Sequence, residues 1–516
     1  MDLNRDFDRS AAEHAGRTAL VFETAPGREE QWTYGMLRDR VLRAAAAFRS
    51  EGVGRGDRVA LLLRNGPAFV SAYFALMRLG AVAVPINFMV RNPDDLRFML
   101  SHAGARRALT QREFLPGLEA AAQGLPLERV WVTDGPERPF LGWAQSFEPL
   151  REAEPASPGD PVAILYTSGT TGAPKGAMLT HENLASNADA VCQAIHFTPQ
   201  DSWLALLPMF HTFCWTVCVM IPLRLGAKVV ISASPAPPEP WLAQLKRHEV
   251  SVFCSVPQIY ALLANAAAGY QAYALQEGFF KSVRLCVSGA APLSPAVEGA
   301  FRAAFGHEIV EGYGLTETSP VSTLNPPSRV KAGSVGTAIP GVRVRIVDEA
   351  GRELPAGAEG EVEIQGPNVM KGYYEDEPAT REAIRPGGWF RSGDIGTLDQ
   401  DGYLFIRDRK KDMIIVGGLK VFPAQVEKVL LAHPAVQEAA VVGIPEGAGE
   451  ERIKAFLVLR KGAAADVFEF HQFCRQRFDP FKRPKEIEII PELPKNALQK
   501  TLKRVLRQRE IDKRAL

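Results

Sequence analysis

"YTSGTTGAPKGAMLTH", residues 166–181, decides how this chain is read. Two Ser/Thr pairs stand among three glycines, and Lys175 is pinned behind Pro174. Upstream, "PVAILYT" (161–167) is a short apolar run with β-branched and aromatic members, which predicts a buried strand. Downstream, a helix is expected to restart from Met178, with Thr180 as a cap for "HENLASNADAV". Strand, glycine loop and helix together make the context of an anion cradle. Glycines let backbone N–H groups crowd an anion, hydroxyls add donors, and a lysine adds a point charge. The common P-loop is excluded, because it needs a lysine directly after glycine and a hydroxyl residue directly after the lysine. Here Lys175 follows Pro174 and precedes Gly176. A flexible linker would need neither the Pro-Lys lock nor the strand before it.

A chain of 516 residues has room for two to four domains and a large core. Apolar residues make up 46% and charged residues 23%, the balance of an ordinary globular protein. A net charge of +1 gives no reason to expect nucleic acid or an anionic membrane as partner. The cysteines (192, 214, 218, 254, 286, 474) are scattered, which suits a reducing compartment. His211, Cys214 and Cys218 invite a metal, but a zinc site wants four ligands and their surroundings are apolar. The N-terminus lacks a basic-then-apolar leader. Residues 203–223 are long enough to span a bilayer, yet two prolines and a histidine inside argue for buried core and a pocket wall. A cytoplasmic protein without an integral membrane segment is expected; peripheral contact with a membrane and a homodimer are both compatible.

Helices and short apolar strands alternate through about the first 330 residues. "QWTYGMLRDRVLRAAAAFRSEG" has helical period with Gly52 as its stop, and "DRVALLL" is a strand. "PAFVSAYFALMRLG" and "AVAVPIN" repeat the pair, as do "WLAQLKRHEV" and "SVFCSVP". This predicts α/β layers around mostly parallel sheets. The style changes near residue 333. "VRVRIVDEAGRELPAGAEGEVEIQG" alternates with period two about an Asp348–Gly351 turn, a β-hairpin of a small β subdomain (about 333–408). Residues 402–418 read as strand, charged turn, strand. The following segments form a compact α+β unit. The charged run 407–412 is the expected boundary, giving an N-terminal domain 1–408 and a mobile C-terminal domain 409–516.

Other segments join the glycine loop in order: "SGAAPLS" (288–294), "EGYGLTET" (311–318), "GWFRSGD" (388–394), "RKKDMIIVGGLKVFPAQVE" (409–427) and "LPKNALQK" (493–500). In this order they resemble the adenylate-forming superfamily, which contains acyl-CoA synthetases, luciferases and adenylation domains of peptide synthetases. The resemblance runs from about "WTYGML" to "LPKNALQK", and the branch it favours is that of medium- and long-chain fatty acyl-CoA ligases.

The resemblance implies a role for each piece. Thr167, Ser168, Gly169, Thr170, Thr171, Gly172 and Lys175 would handle the β- and γ-phosphates of ATP. Gly289, Ala290 and Ala291 would lie along adenine. Glu311, Gly312, Tyr313 and Gly314 complete the nucleotide site, with the Tyr313 ring facing the base and Thr316 bonding the α-phosphate. Glu317 matches the Mg2+ ligand, as a hard cation wants carboxylate oxygen. Asp394 would accept both ribose hydroxyls, with Arg409 also reaching the ribose. Lys500 matches the lysine that touches the substrate carboxylate and α-phosphate, where a fixed ammonium stabilises the charge that builds up. The family usually has glycine before that lysine; here it is Gln499.

"LPMFHTF" (207–213) bears on the substrate. Amino-acid-activating domains carry an aspartate near here for the amine, and none is present. Phe210, His211, Phe213, Trp215 and Val256 are expected around a carboxylic acid, with His211 as a gate beside the carboxylate. The implied reaction has two steps: the acid and ATP give acyl-AMP and pyrophosphate, then CoA displaces AMP. Between steps the C-terminal domain would swing about Lys411, and Gly417, Gly418 and Leu419 would line the pantetheine tunnel. The rivals are an acyl-AMP ligase loading a separate carrier protein and an aryl-CoA ligase.

Overall fold

The computed structural model describes residues 2–25, 27–90, 92–135, 139–167, 174–265, 269–416, 419–447, 450–496 and 500–515. Ser168, Gly169, Thr170, Thr171, Gly172, Gly417, Gly418 and Gln499 lie outside them. The chain forms two compact units, Met1–Val344 with Ile364–Phe390, and Arg345–Glu363 with Arg391–Leu516. Compactness therefore divides the chain elsewhere than at 408/409. Of the expected β subdomain, 345–363 and 391–408 share a unit with the C-terminal segment, and the rest belongs to the first unit.

The first unit is α/β, built on two sheets. One runs in the order Thr337–Ala338, Val321–Leu324, Ile309–Gly314, Leu285–Ser288, Val252–Ser255, Ser202–Ala205, Lys228–Ile231, Thr18–Ala25, Arg28–Thr33. The other runs Gly372–Tyr373, Lys175–Thr180, Pro161–Thr167, Val82–Pro85, Arg58–Leu62, Arg107–Thr110, Arg129–Val132. Most interior pairings are parallel, and so is the edge pair Arg107–Thr110/Arg129–Val132; the antiparallel pairings are Thr18–Ala25 with Arg28–Thr33, Val321–Leu324 with its two neighbours, and Lys175–Thr180 with its two neighbours. Parallel strands need crossovers, and amphipathic helices supply them. The helix Pro67–Arg78 is buried along nearly its whole length, in keeping with its apolar sequence. The core beneath the second sheet gathers Leu62, Val84, Ile86, Leu96, Met99 and Ile164.

The strand before the glycine loop forms as expected, but no helix comes directly after the loop. Lys175–Thr180 is a strand antiparallel to Pro161–Thr167, with Thr167 paired to Lys175. Met178 therefore lies in a strand, and the helix starts at His181. Thr180 does cap it: its hydroxyl accepts from Asn183 N–H, and the Asn183 side chain accepts from Thr180 N–H. Both ends of the loop are thus strand ends, and Lys175 does not lead straight into the positive end of a helix dipole.

Arg343–Val347, Gly360–Gln365, Trp389–Leu398 and Leu404–Arg409 build one sheet, most of whose residues fall in the second unit. The Asp348–Gly351 turn is present, closed by Gly351 N–H on the Asp348 carbonyl and Arg352 N–H on the Asp348 carboxylate. The return strand begins only at Gly360. Beyond a 3-10 turn at Lys410–Asp412, Ile414–Val416 pairs with Leu419–Val421. Val436–Gly447, Glu450–Leu459 and Glu486–Ile489 form a three-stranded sheet, covered by the helices Pro423–Leu431, Val467–Arg477 and Lys503–Ala515. Among the described residues no helix is long and apolar enough to cross a membrane, and no cluster of three His, Cys, Asp or Glu could hold a metal. Residues 203–223 fold instead into a strand, a π-helix at Phe213–Met220 and a short helix.

Candidate active site

Two groups of residues carry chemistry, one in each unit. The first is built where the strand Ile309–Gly314 ends. Gly314 has no room for a side chain, because a Cβ there would sit 1.7 Å from the Pro320 carbonyl oxygen. That closeness lets the chain fold back at once through a 3-10 turn, Thr316–Thr318, and return as Val321–Leu324. Leu315 N–H donates to the Thr318 hydroxyl at 2.9 Å and to the Pro320 carbonyl at 3.1 Å. Asn368 Nδ2 donates to the Thr318 and Val321 carbonyls, each at 3.1 Å, and Asn187 Nδ2 donates to Val321 O at 2.7 Å. The turn is therefore held from both sides by amides that nothing in the local pattern signals.

This turn presents Glu317, which is 8% exposed. Its Oε1 accepts from the Tyr373 hydroxyl at 3.0 Å and the Thr167 hydroxyl at 3.3 Å. The Lys175 ammonium lies 5.2 Å above the Tyr373 ring. Of the residues flanking the glycine loop, Thr167 thus bonds the "GLTET" carboxylate directly and Lys175 meets it through Tyr373. Burial, and then the Glu317 carboxylate, push the Tyr373 phenol upward, so it stays a donor. Among the described residues both of these bonds fall on Oε1. Oε2 is then a hard oxygen donor of the kind magnesium takes, and the residues fit that ion.

Glu311 comes from the same strand and braces the next loop. Its Oε1 accepts from Leu293 N–H at 3.2 Å, and its carbonyl receives Asn325 N–H at 3.0 Å. Burial raises its carboxyl to about 7. Within the braced loop Gly289 donates to the Ser255 carbonyl, and Ala290 takes a left-handed φ of 68°. A non-glycine residue there marks a locally determined backbone of the type found at ligand clamps. A Cβ on Gly289 would meet the Phe213 ring at 3.5 Å, an ordinary contact, so the structure brings "SGAAPLS" and "LPMFHTF" together. Gly312 is tighter, since a Cβ there would lie 2.9 Å from Leu324 Cδ1. His211 is half-buried, and its Nδ1 accepts from Phe213 N–H at 3.2 Å. Phe210 sets its edge against Phe88. Val256 is buried at the N-terminus of the helix Pro257–Ala264. Trp215 is buried with its ring 4.0 Å from Tyr73 and close to Phe69 and Phe74, so it packs on the helix Pro67–Arg78.

The second group lies in the second unit. Asp394, 3% exposed, stands directly across the sheet from Arg409 and pairs with it, Nε to Oδ1 at 3.1 Å. Lys500 joins them from just before the helix Lys503–Ala515. Burial first, and then the nearby Arg409 charge, lower its ammonium to about 8, with Lys411 adding to the fall and Asp394 and Asp412 opposing it. Lys411 is lowered by burial and by Arg409. Asp394, Arg409, Lys411 and Lys500, spread over more than 100 residues of sequence, thus share one electrostatic neighbourhood. Leu419 is 50% exposed at the start of its strand. Tyr373, Asn187, Asn368 and Asn325 do not stand out in the sequence. The only hint for Tyr373 is the polar "KGYYEDE" run (371–377) after an apolar stretch.

A pinned carboxylate beside a hydroxyl-glycine-lysine loop, and a lysine of depressed basicity beside a paired aspartate, suit activation of an acid by a nucleotide. The chain belongs to the AMP-binding enzymes: that family's model matches residues 7–374, and the model of the AMP-binding enzyme C-terminal domain matches residues 425–500. Within that class it is an ATP- and CoA-dependent, AMP-forming acid–CoA ligase of the adenylate-forming superfamily. It is 34% identical to a sulfoacetate–CoA ligase of Cupriavidus necator over 496 residues, covering 95% of each chain. It is 32% identical to a long-chain-fatty-acid–CoA ligase of Bacillus subtilis over 540 residues, covering 98% of this chain and 93% of the relative. Among solved structures it superposes on ATP-bound MatB from Rhodopseudomonas palustris with a TM-score of 0.89, at 32% identity and 99% coverage of both chains. An anthranilate CoA ligase, AuaEII, in complex with anthranoyl-AMP gives a TM-score of 0.90 at 30% identity, covering 100% of this chain and 98% of that one.

Proposed function

We propose that this ligase activates an apolar carboxylic acid, of fatty-acid type, and transfers it to CoA. The observation that carries the mechanistic part is the gathering of Lys500, Arg409, Lys411 and Asp394. The substrate part is supported by the π-helix Phe213–Met220, which is buried throughout and has no charged side chain, and by the fatty-acid ligase among the relatives.

In this reading Asp394 accepts the ribose hydroxyls, Arg409 steadies the same sugar, and Gly289–Ala291 with Tyr313 hold the base. Thr316 donates to the α-phosphate, while Thr167 and Lys175 with the intervening loop take the β- and γ-phosphates. Glu317 would hold the magnesium that accompanies ATP and neutralises phosphate charge. His211 and Phe213 border the acid. One carboxylate oxygen forms a bond to the α-phosphorus, the bond to pyrophosphate breaks, and Lys500 stabilises the charge concentrated between the two. The CoA sulfur then bonds the acyl carbon, AMP leaves with the electron pair, and the thiol proton goes to solvent. Lys411 serves as the pivot between the two steps, which makes 408/409 a boundary of motion. Gly417, Gly418 and Leu419 flank the thiol in the second step.

A panel of straight-chain acids from two to sixteen carbons, with benzoate, anthranilate, malonate and sulfoacetate, tests this reading through pyrophosphate release with and without CoA. Highest kcat/KM is expected for an uncharged aliphatic chain, with product thioester formed only when CoA is present. A preference for malonate or sulfoacetate would overturn the apolar assignment. Transfer to a carrier protein in preference to CoA would overturn the acceptor.

A further inference from the structure

Lys500 sits in an electrostatic neighbourhood that opposes it. Arg409 and Lys411 are both cations and both disfavour its charge. A flexible loop would relieve that repulsion by carrying the lysine away. The structure shows why it does not. Lys500 N–H donates to the Asn496 side chain at 2.9 Å, and Asn496 N–H donates to the Lys500 carbonyl at 2.9 Å. Lys495 bridges Thr501, and Leu502 N–H donates to the Pro494 carbonyl at 2.7 Å. An ion pair then anchors each foot. Before the loop, Lys495 grips both oxygens of Glu438, at 2.9 and 2.7 Å. After it, Lys503 pairs with Glu427 at 2.8 Å, with only 20% and 16% of the two side chains exposed.

The second anchor reaches further than the first. Glu427 Oε1 also accepts from Val441 N–H at 2.8 Å, which fixes it to the three-stranded sheet. Lys503 in turn lies in the field of Asp408, the residue just before Arg409. Asp408 is buried and accepts from Ala424 N–H and Arg409 N–H, each at 2.7 Å, tying the strand Leu404–Arg409 to the N-terminus of the helix Pro423–Leu431. Burial lowers Lys503, but Glu427 and then Asp408 outweigh it, so the residue stays a cation. A pair this sheltered is a weak source of stability, because desolvation offsets most of its attraction. Its better-attested use is to specify one arrangement.

We infer that Lys503 is a positioning residue for the adenylation half-reaction: paired with Glu427 and facing Asp408, it holds the Lys500 loop in register with the strand that carries Arg409. This rests on the reading of Lys500 as the adenylating lysine. Lys503 touches no substrate; it resists the repulsion that Arg409 and Lys411 exert on Lys500. Residues that orient a reacting group are worth on the order of 10- to 100-fold.

The test compares Lys503→Met, Lys503→Arg, Glu427→Gln and Lys500→Ala in the full-length enzyme. Pyrophosphate release reports adenylation, and transfer from synthetic acyl-AMP to CoA reports the second step. Lys503→Met should lower kcat for adenylation by about 10- to 100-fold, with KM for ATP changed little and transfer from acyl-AMP near wild type. Lys503→Arg should recover most of the loss, and Glu427→Gln should repeat the Met phenotype should the Met variant fold poorly. Equal losses in both half-reactions, or a loss that Arg does not rescue, would make Lys503 merely structural and overturn the inference. So would normal adenylation in Lys503→Met and Glu427→Gln alongside a selective loss in Lys500→Ala, an outcome that leaves the role of Lys500 standing. Intact adenylation in Lys500→Ala would overturn the underlying reading itself.

Discussion

Raising the pH should switch off the first half-reaction while favouring the second. Lys500 acts as an ammonium, and its environment lowers it to about 8: burial leads, Arg409 and Lys411 add repulsion, and Asp394 and Asp412 restore part of the loss. The charged fraction then falls from about nine-tenths at pH 7 to about one-tenth at pH 9, so kcat/KM for adenylation should drop roughly tenfold across that interval. Activity is present below the inflection and lost above it. Because kcat/KM reports the free enzyme, its inflection should match the ligand-free environment. The phosphates of bound ATP add negative charge, so the inflection in kcat should lie higher. The CoA thiol attacks as its thiolate, whose fraction grows with pH, so transfer from supplied acyl-AMP should rise over the same range. Arg409→Gln removes the largest neighbouring cation and should move the adenylation inflection upward. The assay is pyrophosphate release at saturating Mg2+ from pH 6 to pH 10, beside single-turnover transfer from synthetic acyl-AMP. An adenylation profile flat to pH 10, or an inflection that persists in Lys500→Ala, would refute the reasoning.

The same geometry sets four further outcomes. Asp394→Ala should raise KM for ATP by about tenfold or more, since buried ribose hydroxyls would lose their acceptor; an unchanged KM would remove Asp394 from the nucleotide site. Gly314→Ala should lower the melting temperature and abolish adenylation, because its Cβ would sit 1.7 Å from the Pro320 carbonyl oxygen; a wild-type melting curve would contradict the fold of the Glu317 turn. Lys411→Pro fixes φ and removes an N–H, so one half-reaction should fall by on the order of 10²-fold while the other changes little; equal losses would show that Lys411 is no pivot. Burial holds the Glu311 carboxyl up at about 7, so the folded state keeps a proton that the unfolded chain releases near the ordinary 4.5. Stability from this group should fall as pH rises from about 4.5 to 7 and level off above, and Glu311→Gln should flatten that slope in denaturant melts.

What the sequence disclosed, and what it withheld, divides along a physical line. Strands and helices of long, clear period were legible, such as the helix Tyr34–Ser50, although Gln31–Thr33, expected to open it, end the strand Arg28–Thr33 instead. The Thr180 cap was legible because capping is a local contest between a side chain and nearby N–H groups. Met178 falls in a strand rather than a helix because "GAMLT" is a short apolar run, and such a run fits a strand or the start of a helix equally well. The choice is made by the partner strand Pro161–Thr167 on one side and Gly372–Tyr373 on the other, the latter almost 200 residues away. The return strand of the hairpin, Gly360–Gln365, had the right alternation, but nothing local says which compact unit an alternating strand joins.

The site divides in the same way. Thr167 and Lys175 stand out by composition, at the ends of a glycine and hydroxyl run, whereas Glu317 was singled out only by the family resemblance. Those that make them effective stand out in neither way. Tyr373 is 56 residues from the glutamate it bonds, and Asn368 is 50 residues from the carbonyl it braces. Lys503 reads as one more cation in a basic helix, "KRVLRQRE", and only folding reveals that Glu427 shelters it while its neighbour Arg504 faces solvent. A charge's role is set by which opposite charges share its low-dielectric surroundings, and that is a tertiary property. A lysine held among cations must be held by something. The cost of crowding Lys500 against Arg409 and Lys411 is itself the reason to look for a clamp in the flanking residues, and Glu427–Lys503 with Glu438–Lys495 occupy that place.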